Sequence, residues 1–186
     1  MKINWVFAND TFMDSAEDIA ALKSAGQFWG SWKTWHTCKT DNIICYSESE
    51  SDKLIRKRFN QVANMLYLPV KCEDKFGVMP KVSYFHGEFS HDTINHDEII
   101  ALHLASASSD IVILYGFDWS TTNDPVDPAE KLKLDNYRNL VSEVIRSVPK
   151  VQWVVVDHVG KLFPELDGAE NILMDTMKNV KLLLKS

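Results

Sequence analysis

The chain has 186 residues, 45% hydrophobic and 25% charged, which is the composition of an ordinary folded globule rather than of a disordered or fibrous chain. Twenty basic against 26 acidic side chains leave a net charge of −6, so bulk phosphate neutralisation is excluded as a way of holding nucleic acid. Apolar runs fall far short of the roughly 20 residues of a bilayer span. The three cysteines, Cys38, Cys45 and Cys72, are odd in number and lack CxxC spacing, so neither a disulfide framework nor a zinc ribbon is expected. The expectation is one cytoplasmic domain over residues 1–186, with reduced thiols and no membrane span.

Ile3 to Ala8 is β-branched and aromatic and stops at the turn formers Asn9 and Asp10, so it reads as a strand ending in a loop. Ser15 with Asp18 three residues later has a capping-box pattern, and Ile19, Leu22 and Ala25 keep helical spacing up to Gly26. Residues 27–41, rich in Trp, Thr, Ser, Lys and Gly, show no period and read as loop with at most a short strand. Asn42 to Tyr46 is a second strand. Ser47-Glu-Ser-Glu-Ser51 then supplies caps and first-turn acids for a long helix over 50–67, with Ile55, Phe59, Val62 and Leu66 inward and Pro69 as its stop.

Residues 70–92 read as an irregular excursion with one short strand at Val82 to Phe85. Asn95 opens the clearest unit: it can cap reciprocally with Glu98, the following helix is apolar on most faces, and Asp110 leads into Ile111-Val-Ile-Leu-Tyr115 and Gly116. So apolar a helix is buried, and so apolar a strand is covered on both faces, which places the pair at the centre of a parallel sheet. After the polar stretch 120–128, Pro128 can start a helix whose buried stripe is Tyr137, Leu140, Val141, Val144, Ile145 and Val148, with Pro149 as its stop. Val151 to Val156 is the next strand, ending at Asp157-His158. The tail 161–185 reads as one or two helices, with Ile172, Leu173, Met177, Val180 and Leu184 inward. Strands alternating with helices, without repeats or linkers, give a three-layer α/β domain with a largely parallel sheet.

In such sheets ligands bind at the carboxyl ends of the strands, which nominates Asn9 and Asp10, Tyr46 and Ser47, Gly116 to Trp119, and Asp157 with His158. Gly116 lets backbone approach a ligand, Asp118 can accept from a hydroxyl, and His158 resembles an oriented imidazole base. His96 occupies the first turn of the buried helix, where free amides favour an anion. The absence of GxGxxG argues against a dinucleotide, so no cofactor is expected, while a mononucleotide held by side-chain amides stays open.

Residues 86–98 concentrate three histidines and four acids. They match no metal pattern and read as solvated loop and caps without a metal; metal-dependent hydrolysis through His86, His91 and Asp92 ranks last among the readings. Lys53 and Arg56-Lys-Arg58 read as a solvated face. Trp29, Trp32 and Trp35 step by three residues and, in a loop, could stack on a base or sugar or anchor a protein partner.

The run Thr93-Ile-Asn-His-Asp-Glu-Ile-Ile-Ala-Leu-His-Leu-Ala, then Asp110-Ile-Val-Ile-Leu-Tyr-Gly-Phe-Asp-Trp119, a polar loop, an amphipathic helix and Val151-Gln-Trp-Val-Val-Val156, resembles the small bacterial CMP-sialic-acid-dependent sialyltransferases over residues 93–165. That resemblance implies a Rossmann-like GT-A-variant fold, no essential metal, and glycosyl transfer from a nucleotide sugar. By position it implies that Asn9, Asn95 and Gly116 bind the donor, that Asp118 orders the site, and that His96 or His158 takes the acceptor proton. The alternative expectation is a non-catalytic Rossmann-like binding protein that meets a protein partner through the Trp-rich segment 27–36.

Overall fold

Ile111-Val-Ile-Leu-Tyr115 is apolar at every position because both of its faces are covered. In the computed structural model, which describes residues 1–8, 20, 22–87, 93–117, 125–156 and 164–183, this run is β6, at the middle of an eight-stranded sheet. The other strands are β1 (Ile3–Phe7), β2 (Gln27–Ser31), β3 (Asn42–Ile44), β4 (Met65–Pro69), β5 (Val82–Phe85), β7 (Gln152–Val156) and β8 (Ile172–Asp175). Their order is β5-β4-β3-β2-β1-β6-β7-β8, and every pairing is parallel. The chain starts in the middle, winds outward to β5, returns to lay β6 on the free side of β1, and winds outward again to β8. The described helices are α1 (Trp32–Cys38), α2 (Glu48–Arg56), α3 (Phe59–Val62), α4 (Glu73–Phe76), α5 (His96–Ser106), α6 (Pro128–Ser147) and α7 (Met177–Leu183). This is the expected three-layer, Rossmann-like α/β fold. Among the described residues, no helix is long and apolar enough to cross a membrane.

The period of two along each strand sorts the core into layers. Val6, Trp29, Ile44, Val112, Leu114, Trp153 and Val155 point to the face covered by α5 and α6. Trp5, Phe7, Phe28 and Ile113 point the other way, joined by Leu22, Cys38 and Val180, and further out on that face Ile43, Leu66 and Leu68 pack with Leu54, Phe59 and Cys72.

Four local expectations are corrected. Residues 27–41 are β2 followed by α1, because Ser31 ends the strand and also caps the helix: its Oγ accepts from Lys33 N at 3.2 Å and Thr34 N at 3.3 Å. Gly30 is a packing residue, since a Cβ there would stand 3.1–3.2 Å from Thr40 and Thr34 side chains. The long helix over 50–67 is instead α2, a left-handed break at Arg58 (φ 58°), the single turn α3 and strand β4. Phe59 and Leu66 still meet in one cluster, Val62 is 59% exposed, and Pro69 closes a strand rather than a helix. Asn95 does not cap the helix by its side chain: it sits in the left-handed region at φ 51° without a side-chain cap bond.

The last correction concerns the tail, which is β8 and α7, with Leu173 and Met174 more than half exposed on the edge strand. Val180 is buried as expected, and Leu184 lies outside the described residues. Asn171 joins this edge to the body: its Nδ2 donates to the carbonyls of Ile145, Val148 and Val151 at 3.0, 3.4 and 3.2 Å. Three carbonyls left by the end of α6 and the turn into β7 are thereby satisfied.

Gly26 lies just before β2, where a Cβ would fall 2.2 Å from the carbonyl oxygen of Ile3. Gly26→Ala is therefore expected to destabilise the fold by roughly 1–3 kcal/mol, as overpacking does. A urea titration checks this through a lowered midpoint at unchanged slope.

Candidate functional site

β1 and β6 are neighbours in register from Ile3↔Ile111 to Phe7↔Tyr115, and Ala8 N adds one further bond to Tyr115 O at 3.1 Å. The next strand lies to one side after β1 and to the other after β6, so the strand order reverses between them; in open α/β sheets ligands sit beyond the carboxyl ends at such a reversal. Gly116 follows β6 directly with φ +79°, a conformation that costs glycine little and turns the backbone sharply at the crevice. Asn9, Asp10, Asp118, Trp119, Asp157 and His158 lie outside the described residues, as do His91 and Asp92.

Helices α1, α2 and α5 begin at the same end of the sheet. Thr34 Oγ1, in the first turn of α1, donates to Ala8 O at 3.3 Å and so closes that helix onto the end of β1. Ser47, expected at a nucleotide, caps α2 by accepting from Glu50 N at 3.4 Å. At α5, His96 stacks on Tyr46, with ring centroids 4.4 Å apart and planes 5° from parallel. Tyr46 N donates to Asp97 Oδ1 at 2.6 Å. The end of β3 and the first turn of α5 are thus joined by a ring stack and a charge-assisted hydrogen bond. Tyr46, Ser47, Asn95, His96 and Asp97 form one cluster, whereas Gly116 lies three strands across, roughly 14 Å away at the usual interstrand spacing.

Asp97 is the residue of this cluster that sequence reasoning missed, having treated it only as a first-turn acid. Burial raises its carboxyl to about 6, outweighing the lowering by the Tyr46 N–H and by Lys33, while Glu50 adds a further rise. A carboxyl in that range can hold or release a proton near neutrality. Its signal in the sequence was adjacency to His96 at the start of a buried helix. One turn on, Glu98 is 2% exposed and accepts from Tyr137 OH at 2.6 Å, which ties α5 to α6. Cys45, one residue before Tyr46, is pushed up to about 12, chiefly by burial; it stays protonated and is unsuited to act as a nucleophile.

Trp29 is 4% exposed and packs in the core under α5 beside Tyr67. Of the three tryptophans expected in a partner-binding loop, only Trp32 and Trp35, on α1, keep surface of their own. His86 is exposed, and among the described residues no three His, Cys, Asp or Glu side chains could hold a metal ion. A cleft of about 670 Å³ opens at the opposite, amino end of the sheet, around Lys2, Lys23, Gly26 and Asp41. Its main charges are used structurally: Asp41 accepts from Lys23 Nζ and from Phe28 N, each at 2.9 Å.

No protein-family model matches the chain, and no curated protein or solved structure matches it significantly.

Because burial raises Asp97, the folded state holds its proton more tightly than the unfolded state does. The resulting stability is full below about pH 4 and is lost as pH rises through about 6. Relative to Asp97→Asn, the wild type is expected to lose on the order of 1–3 kcal/mol over that window. Denaturant titrations at pH 4, 5, 6 and 7 check this, and parallel curves for the two proteins would contradict it.

Proposed function

We propose that the domain binds a nucleotide or nucleotide sugar across the carboxyl ends of β3, β2, β1 and β6. The observation that carries this reading is the reversal of strand order between β1 and β6, with Gly116 at one end of the resulting crevice and the coplanar Tyr46–His96 pair at the other. The crevice is bordered by the amino ends of α2 and α5, whose free amides favour phosphate oxygens. Lys33 supplies positive charge beside Asp97. A span of roughly 14 Å suits an extended ligand with a base, phosphate and sugar better than a single ring.

The finer reading is glycosyl transfer from that nucleotide sugar. It rests on the resemblance of residues 93–165 to the sialyltransferases. Residues 119–136 contain no histidine, so removal of the acceptor proton falls to His96 or His158, with Asn9, Asn95 and Gly116 binding the donor and Asp118 ordering the site.

Thermal melting with CMP, UDP and their sugar conjugates tests the binding. A cognate nucleotide is expected to raise the melting temperature by roughly 2–4 °C for each kcal/mol of binding stabilisation, and His96→Ala is expected to remove most of that rise. If none of these ligands shifts the curve, or if His96→Ala responds like the wild type, the reading fails. Release of free CMP or UDP in the presence of sugar acceptors then separates a transferase from a binding protein.

A further inference from the structure

α1 and α2 lie in the helical layer opposite α5 and α6, and between α1 and the α2–α3 pair runs a cleft of about 560 Å³. That volume is within the range of ligand-binding clefts. One wall is aromatic: Trp35 meets Phe59 edge to face at 5.0 Å and His36 at 5.5 Å, while Trp32 meets His36 from the other side at 6.0 Å. Lys39 Nζ lies 4.2 Å from the centre of the Trp35 ring, which fixes the ring from outside. The step of three residues that aligned the tryptophans in sequence therefore places Trp32 and Trp35 on one face of a helix, with Trp29 left behind in the core.

The opposite wall is cationic. Lys53 and Lys57 both line the cleft. Lys53 is 2.9 Å from Glu50, which also lines it and is thereby neutralised. Lys57 is exposed and has no ion pair among the described residues, and the same holds for its chain neighbours Arg56 and Arg58. A protein of net charge −6 thus keeps Lys57 uncompensated in the lining of a tryptophan-walled cleft, with Arg56 and Arg58 next to it in the chain. Tryptophan with flanking cations is the side-chain combination that concentrates binding energy at protein interfaces.

We propose that this cleft docks an acidic peptide segment of a partner protein. An apolar or aromatic side chain of the peptide seats between Trp32, Trp35 and Phe59, and its carboxylates meet Lys57 and the neighbouring arginines. The negative charge of the whole domain disfavours a nucleic-acid polymer here, and the cleft lies between α1 and the α2–α3 pair, whereas the proposed nucleotide crevice lies at the amino ends of α2 and α5.

Panning a random-peptide display library against the full chain, followed by anisotropy titrations of the selected peptides, tests the proposal. The enriched sequences are expected to combine acidic residues with an aromatic or large aliphatic one, and to bind more weakly as salt rises. Lys57→Glu and Trp32→Ala should each weaken binding roughly tenfold or more. Lys178→Glu, the same charge change on α7, should leave binding unaltered, and Lys57→Glu should leave nucleotide-induced melting shifts unaltered. Absence of acidic enrichment, binding indifferent to Lys57→Glu, or displacement of the peptides by mononucleotides would overturn it.

Discussion

A strand of an all-parallel sheet has to be covered on both faces, and that requirement falls most heavily on β1 and β6. Their side chains alternate between two separate cores, Val6, Val112 and Leu114 on one side and Trp5, Phe7 and Ile113 on the other. Helices must therefore be supplied to both layers from both directions of winding, and the chain must reverse between these two strands. The reversal marks the carboxyl edge between them as the place where open α/β sheets hold ligands. The central pairing thus dictates at once the double core, the strand order and the position of the crevice.

The second consequence concerns the tryptophans. Trp5, Trp29 and Trp153 are buried, and among the described residues their indole N–H groups have no hydrogen-bond partner. Each such group costs about 1–3 kcal/mol, which the apolar area of the ring offsets at roughly 25 cal/mol per Å². Trp32 and Trp35 differ in kind, because α1 holds them beside solvent and cations rather than inside the sheet.

Much of this organisation was legible in the residues. The strands at Ile3 and Ile111, the apolar helix between Asn95 and Ser106, and the Pro128 start and Pro149 stop of α6 follow from period, composition and proline chemistry, and all stand in the structure. Illegible were the places where one residue serves two elements. Ser31 closes β2 and caps α1, and Gly30 packs against Thr34 and Thr40, so a strand–helix junction has the composition of a loop. The helical spacing of Ile55, Phe59, Val62 and Leu66 misled because Ile55, Phe59 and Leu66 reach the same cluster from three different elements, with the left-handed turn at Arg58 between the first two. At the candidate site, His96 and Ser47 were marked by strand-end placement. Their actual roles, stacking and capping, depend on Tyr46 and Asp97 being brought together from positions 51 residues apart, and no local pattern records that.

The central claim is that the gap between β1 and β6 is a ligand site. Amide chemical-shift mapping during a titration with CMP tests it most directly. The account predicts saturable shifts concentrated at Ala8, Tyr46, His96, Asp97, Gly116 and Phe117, with the amino edge of the sheet silent. Shifts confined to the amino-edge residues Lys23 to Gln27 and Asp41, or no saturable shifts at all, would contradict it.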